Sequence, residues 1–196
     1  MENNTGMNTY QRLVVRLHEL GMIDRRTADE QVASTAAWGE PRPERRAQEL
    51  AGVLDECGVA VRAHGEDVDF AESAYESVLR NAARIIGGAV TVTGVELVGE
   101  IGDTRELRFK VNGVAKSWWI DQPSDDYLDL GAIELGIGDL EPGGADPRVF
   151  HPVPADETCG DDLHLLATPA QAAALREEFG LRIRVCDADG AVVQEV

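Results

Sequence analysis

A chain of 196 residues can bury a core without cross-links, and a formal net charge of −18, with 36 carboxylates against 18 Lys and Arg, works against nucleic-acid backbones and anionic membranes as partners. The three cysteines (Cys57, Cys159 and Cys186) are odd in number and widely spaced, which argues against a disulfide framework and fits a reducing cytoplasm. No apolar run approaches the roughly 18 residues of a membrane span, and the polar opening "MENNTGMNTY" lacks the charged-then-apolar pattern of a secretory signal.

In chain order, residues 1–8 carry no pattern and are read as disordered. "TYQRLVVRLHELG" spaces Leu13, Val14, Leu17 and Leu20 as a helix that Gly21 stops. Asp24 can cap a second helix running to about Trp38. A third, after "GEPRPER", puts Ala47, Leu50, Val53, Leu54 and Cys57 on one stripe and ends at Gly58. "VAVRA" reads as a short strand. "DFAESAYESVLRNAARIIGG" is the clearest amphipathic helix, with Phe70, Ala74, Val78, Leu79, Ala82, Ile85 and Ile86 on its apolar face.

The period then changes from 3.6 to 2. "AVTVTGVELVGEI" and "TRELRFKV" alternate, and Asn112-Gly113 predicts a two-residue type I′ turn. With "VAKSWWID" as the returning strand, pairing Val111 with Val114 places Phe109 opposite Lys116, Leu107 opposite Trp118 and Glu106 opposite Trp119. Leu107, Phe109, Val111 and Trp118 then share one face. Trp118 is expected in the core and Trp119 at the surface or under a helix. Further on, "DYLDLGAIELGIGDL" predicts a short helix, "RVFHPV" and "LHLLAT" strands, and "TPAQAAALREEFG" a helix with Thr168 as N-cap, Pro169 in its first turn and Gly180 as its stop. "LRIRV" and "AVVQEV" predict a terminal hairpin. The order implies an α+β fold, N-terminal helices followed by a mainly antiparallel sheet with interspersed helices. Residues 1–65 form an N-terminal helical region and 66–196 an α+β domain, read together as one compact unit.

No motif announces a reaction. His151, Cys159 and His164 lie close in sequence among carboxylates, but their spacing matches no compact zinc pattern. Neighbouring carboxylates would also raise the thiol pKa of Cys159, the wrong direction for a nucleophile. A cryptic hydrolytic or metal site around these three is the enzymatic alternative. A regulatory or structural interaction module is a third reading. "GAIELGIGDLEPGG" lacks the strand-to-helix context of a dinucleotide fingerprint, and neither a cofactor motif nor a calcium-loop pattern is present.

The charge is unevenly placed. Residues 1–65 carry a net −2 and residues 66–196 a net −16, with 12 carboxylates and the single cation Arg148 between 121 and 162. In "KSWWIDQPSDDYLDL", Trp119 and Tyr127 stand beside Asp121, Asp125, Asp126 and Asp129, the pairing of aromatic anchor and acidic field that suits binding of a cationic protein. The stretch from about Val90 to Ile183, with "WWID", "DYLDL", "RVFHPV" and "DLHLLATPAQAAALREEFGL", resembles in style the small immunity proteins of bacterial toxin systems. The resemblance implies a cytoplasmic, non-enzymatic protein that binds and blocks a basic toxin domain, with no catalytic residues. The candidate partner-binding residues are therefore Trp119, Asp121, Asp125, Asp126, Tyr127 and Asp129.

Overall fold

The computed structural model describes residues 6–121, 123–154, 161–187 and 190–194. Among these, six α-helices and eight antiparallel strands in three sheets form an α+β fold. The chain begins with α1 (Thr9–Glu19), α2 (Arg25–Ser34) and α3 (Arg46–Glu56), followed by strand β1 (Ala60–His64) and the long α4 (Ala71–Ile85). Strands β2 (Val92–Val98), β3 (Thr104–Val111) and β4 (Val114–Asp121) make a meander. The short α5 (Leu130–Gly136) runs on into a 3-10 turn, Ile137–Leu140. Then come β5 (Val149–Val153), β6 (Asp161–Ala167), α6 (Pro169–Phe179) and the small hairpin β7 (Val185–Cys186) and β8 (Val192–Gln194).

Local chemistry accounts for most of these boundaries. Asn8, expected in a disordered leader, caps α1 instead, accepting from the Gln11 N–H while the Gln11 side chain accepts from the Asn8 N–H. Residues 1–5 lie outside the described residues. Asp24 caps α2, which hands over at Thr35 to a 3-10 turn ending at Ala37. Thr168 and Gln171 form a second reciprocal cap on α6, and Gly180, at φ 68°, closes that helix in the left-handed conformation. One detail of α4 differs from its sequence pattern. Phe70 is the N-cap and is 66% exposed, and Tyr75 takes the buried place on the apolar face.

The central element is the three-stranded sheet β1-β6-β5, covered on both faces. Ala60, Val153, Leu163, Leu165 and Ala167 point into a core built with α1, α2, α3 and α6. Val61, Ala63, Phe150 and Leu166 point the other way, into a core built with α4, α5 and the inner face of the β2-β3-β4 sheet. The register Ala60↔Leu165 and Val61↔His164 joins the end of the N-terminal helical region to a strand from near the end of the chain. Burial on both faces explains why β6 reads as a nearly continuous apolar run, "LHLLA". On the first side, Arg16 of α1 holds Glu178 of α6 at 2.6 Å, and the Gln171 amide donates to the Leu20 carbonyl at 2.9 Å.

The second core is closed by the β3–β4 hairpin. Asn112 and Gly113 both have positive φ (50° and 82°), the type I′ geometry. The ladder runs Val111↔Val114, Phe109↔Lys116, Leu107↔Trp118 and Glu106↔Trp119, the register read from the sequence. Trp118 packs edge-on against Phe109, ring centroids 5.0 Å apart, and its Nε1–H donates to Asp139 Oδ2 at 3.0 Å. Lys116 Nζ holds the other oxygen of Asp139 at 2.7 Å. The indole lies directly on the backbone of Gly136, where a Cβ would come within 2.2 Å of Trp118 Cε2. That glycine is there for close packing, since its φ of −96° suits any residue. Gly136→Ala is therefore expected to lower stability by about 1–3 kcal/mol through overpacking. Gly138→Ala, whose nearest neighbour would be Glu141 Oε1 at 3.9 Å, should fold at nearly wild-type stability. Urea unfolding of the two variants checks this. Equal midpoints would refute the indole contact.

Candidate functional site

Strand alternation places the candidate aromatic. With Trp118 turned inward, Trp119 must stand on the outer face of the β2-β3-β4 sheet, where it is 69% exposed. Across the ladder it faces Glu106, whose carboxylate Arg108 binds at 2.5 Å. Asp121, two residues on, points to the same face and is exposed.

The segment after β4 is stitched to the loop between β1 and α4. The Val68 N–H donates to the Asp126 carbonyl (3.2 Å), the Ala71 N–H to the Asp125 carbonyl (3.1 Å), and the Leu128 N–H to the Gly65 carbonyl (2.9 Å). Leu128 is buried beneath this seam. The six candidates consequently separate into different roles. Asp129 caps α5: its carboxylate accepts from the Ala132 N–H at 3.0 Å and the Asp121 N–H at 2.9 Å, and its own N–H donates to the Tyr75 hydroxyl at 2.8 Å. Burial holds that hydroxyl above the usual phenol range. Asp125 meets Arg105 at 3.3 Å, at the end of the inner face of β3, where the Arg105 side chain is nearly covered. Tyr127 is half-buried. Asp126 is exposed, like Trp119 and Asp121. Three of the six thus face solvent, and two carboxylates hold the segment in place.

The histidines considered for an enzymatic site are divided by the central sheet. His151 pairs with Leu165 and shares its face, whereas His164 pairs with Val61 and Pro152 on the opposite face. Cys159 lies outside the described residues. His151 is buried and fully used: the Cys186 N–H donates to Nδ1 at 2.9 Å, and Nε2–H donates to the Ala167 carbonyl at 3.1 Å. The pattern fixes the neutral tautomer and ties β5, β6 and β7 together, while burial lowers the pKa of the ring. His164 is also buried, with neither ring nitrogen hydrogen-bonded among the described residues, and desolvation lowers its pKa to about 4. Cys57 and Cys186 are free, buried thiols, pushed up to about 12 and about 11, chiefly by desolvation. Among the described residues no group of three or more His, Cys, Asp and Glu is placed to hold a metal ion, and no helix is long and apolar enough to cross a membrane.

Two arrangements escaped the sequence pattern. Asp139 joins Lys116 and Trp118 from a 3-10 turn that has no period of its own. His64, expected in a turn, ends β1 and contacts Asp161, which also receives Arg62 at 3.0 Å, while Arg62 reaches Asp55 at 2.9 Å. The partners lie 97 residues apart in the chain, and only the β1–β6 register brings them together. Comparison with protein-family models, with curated proteins and with solved structures returned no match.

The buried histidines make acid stability a measurable property. His164 has a folded pKa of about 4 against 6.5 in the unfolded chain, so the unfolded state binds the extra proton between these values. Its contribution is complete above pH 6.5 and falls by about 3 kcal/mol as pH drops towards 4. His164→Leu should flatten the stability–pH curve in that window and, by removing an unsatisfied polar group, leave the protein no less stable at pH 7. Denaturant titrations at pH 7, 6, 5 and 4 read this out. A variant with the wild-type slope would mean that His164 is not held neutral.

Proposed function

We propose that this chain is a non-enzymatic, acidic protein-binding protein whose interface includes the outer face of β4, with Trp119 as anchor, Asp121 on the same face and the exposed Asp126 of the following segment as its charge. The observation that carries this reading is the exposure of Trp119. A tryptophan leaving 69% of its surface in water forgoes much of the burial that its neighbour Trp118 obtains. Such residues recur as the short-range anchors of interfaces. The net charge of −18 supports a cationic partner, because a field of that sign accelerates encounter with a basic surface.

The finer reading is that the partner is a basic toxin domain which this chain neutralises in the cytoplasm. It rests on the immunity-protein resemblance of residues 90–183. The buried free thiols of Cys57 and Cys186 are compatible with a reducing compartment. Separation of His151 and His164 by the central sheet weighs against the enzymatic alternative, which needs them on one side.

Affinity capture of basic bacterial proteins at 50 mM and 300 mM salt, followed by kinetics with the captured partner, tests the reading. Asp121→Asn with Asp126→Asn should slow association several-fold and reduce its salt dependence. Trp119→Ala should mainly speed dissociation, by tenfold or more. Capture indifferent to salt and to both variants would overturn the assignment. A captured partner that does not arrest growth of cells lacking this chain would overturn the toxin reading alone.

A further inference from the structure

We infer that the outer edge of β4 is a docking strand, to which an extended, arginine-containing segment of a basic partner protein adds as a fourth strand of the β2-β3-β4 sheet. The inference rests on the acidic-binder reading above and gives it a geometry.

Hydrogen-bonded and non-bonded pairs alternate along an antiparallel ladder. Starting from the pair Val111–Val114 that closes the type I′ turn, Lys116, Trp118 and Ile120 direct their backbone groups to β3, and Ala115, Ser117, Trp119 and Asp121 direct theirs outward. The outward Asp121 N–H is taken by Asp129. The outward N–H and C=O groups of Ala115, Ser117 and Trp119 have no hydrogen-bond partner among the described residues. They span about 13 Å, room for a five-residue strand.

Two other edges in the molecule are guarded. On β5 the outward Phe150 N–H is capped by Glu141 Oε1 at 3.2 Å, Pro152 has no N–H, and its carbonyl accepts from Arg184 N–H at 2.9 Å. On β2 the outward Leu97 N–H is capped by Glu72 Oε2 at 2.9 Å, and the ladder is broken by an irregularity around Gly94. Proteins usually block edges in such ways because an open edge recruits other strands. Across Ala115–Trp119 no such guard is found among the described residues. The one lysine of that stretch, Lys116, turns inward to Asp139. The outer-face side chains of Ala115 and Ser117 are small and exposed, so they leave an incoming backbone unobstructed.

The local chemistry selects the occupant. An arginine on the added strand can lie over the exposed indole of Trp119 and pair with Asp121 beside it, a cation–π contact joined to a charge-assisted hydrogen bond. A second copy is the wrong occupant, because two chains of net charge −18 repel each other. Main-chain bonds supply the affinity of strand addition, and alternate side chains supply its selectivity.

The probes are a nine-residue peptide alternating Arg with Val, the same peptide with its odd or its even amides N-methylated, and a version with Glu for Arg, each titrated into the full chain by calorimetry and amide NMR. The Arg peptide should bind and shift the Ala115, Ser117 and Trp119 amides. One of the two methylated peptides should lose at least tenfold in affinity while the other keeps it, and the Glu peptide should not bind. Ser117→Pro removes an N–H that β3 does not use and should weaken binding at least tenfold, with Ser117→Thr unchanged. If Ser117→Pro fails to fold, the methylated pair on the wild-type chain decides. Equal binding of the parent and both methylated peptides overturns strand addition but leaves the acidic interface standing. Equal binding of the Arg and Glu peptides overturns both. Failure of the Arg peptide to bind overturns strand addition, and the capture experiment judges the acidic reading separately. A dimer of the wild-type chain in light scattering, lost in Ser117→Pro, makes the occupant a second copy and overturns the proposal.

Discussion

The two-residue turn at Asn112-Gly113 decides which of two adjacent tryptophans is buried. Both residues adopt positive φ, so β4 returns along β3 with no spare residue, and every later side chain on β4 is assigned a face. A slip of one position would drive Trp119 into the core and Trp118 into water. The rest of the second core is built to hold the chosen one. Phe109 meets the indole edge-on, Gly136 leaves room for its face, and Asp139 accepts its N–H. These contacts together fix the position of α5 and thereby of the acidic segment before it.

That segment shows how carboxylates of one sequence cluster divide their work. Asp129 and Asp125 hold the backbone, the first as a helix cap and the second through Arg105. Asp121 remains in solvent on the face of Trp119, and Asp126 is exposed in the segment that follows β4. Structural acids become internal partners of N–H groups and guanidinium, while the exposed ones keep their full field for a partner. The same division recurs at the strand edges, where Glu72 and Glu141 occupy backbone donors on β2 and β5, while those of Ala115, Ser117 and Trp119 on β4 have no partner among the described residues. Desolvation holds Glu141 above the usual carboxylate range, as befits a group tucked against a strand.

Much of this was legible in the chain itself, and for one reason: the signals are local. The hairpin register follows from a dipeptide and a period of two, the caps of α2 and α6 from single residues, and the exposure of Trp119 from its neighbour's burial. Phe70 and Tyr75 mark where local signals stop. Both fit the helical period of α4, and only the depth of the second core selects Tyr75 for burial and leaves Phe70 outside. Among the site candidates, Asp129 and Asp121 are alike in a string of letters. Their difference is that the Asp129 carboxylate accepts from the Asp121 and Ala132 N–H groups, while the Asp121 side chain is exposed.

The sequence by itself determined the α+β class, the element order, the hairpin register and the excess of negative charge on the second two-thirds of the chain, because each depends on residues a few positions apart or on a count. Only the tertiary structure decided that β1 and β6 pair, that His151 and His164 stand on opposite faces of one sheet, that Asp139 reaches Trp118, and that the outward groups of Ala115, Ser117 and Trp119 on β4 have no partner among the described residues. Those outcomes depend on pairings between residues about 10 to 105 positions apart, and such pairings are chosen by how two cores pack against a shared sheet.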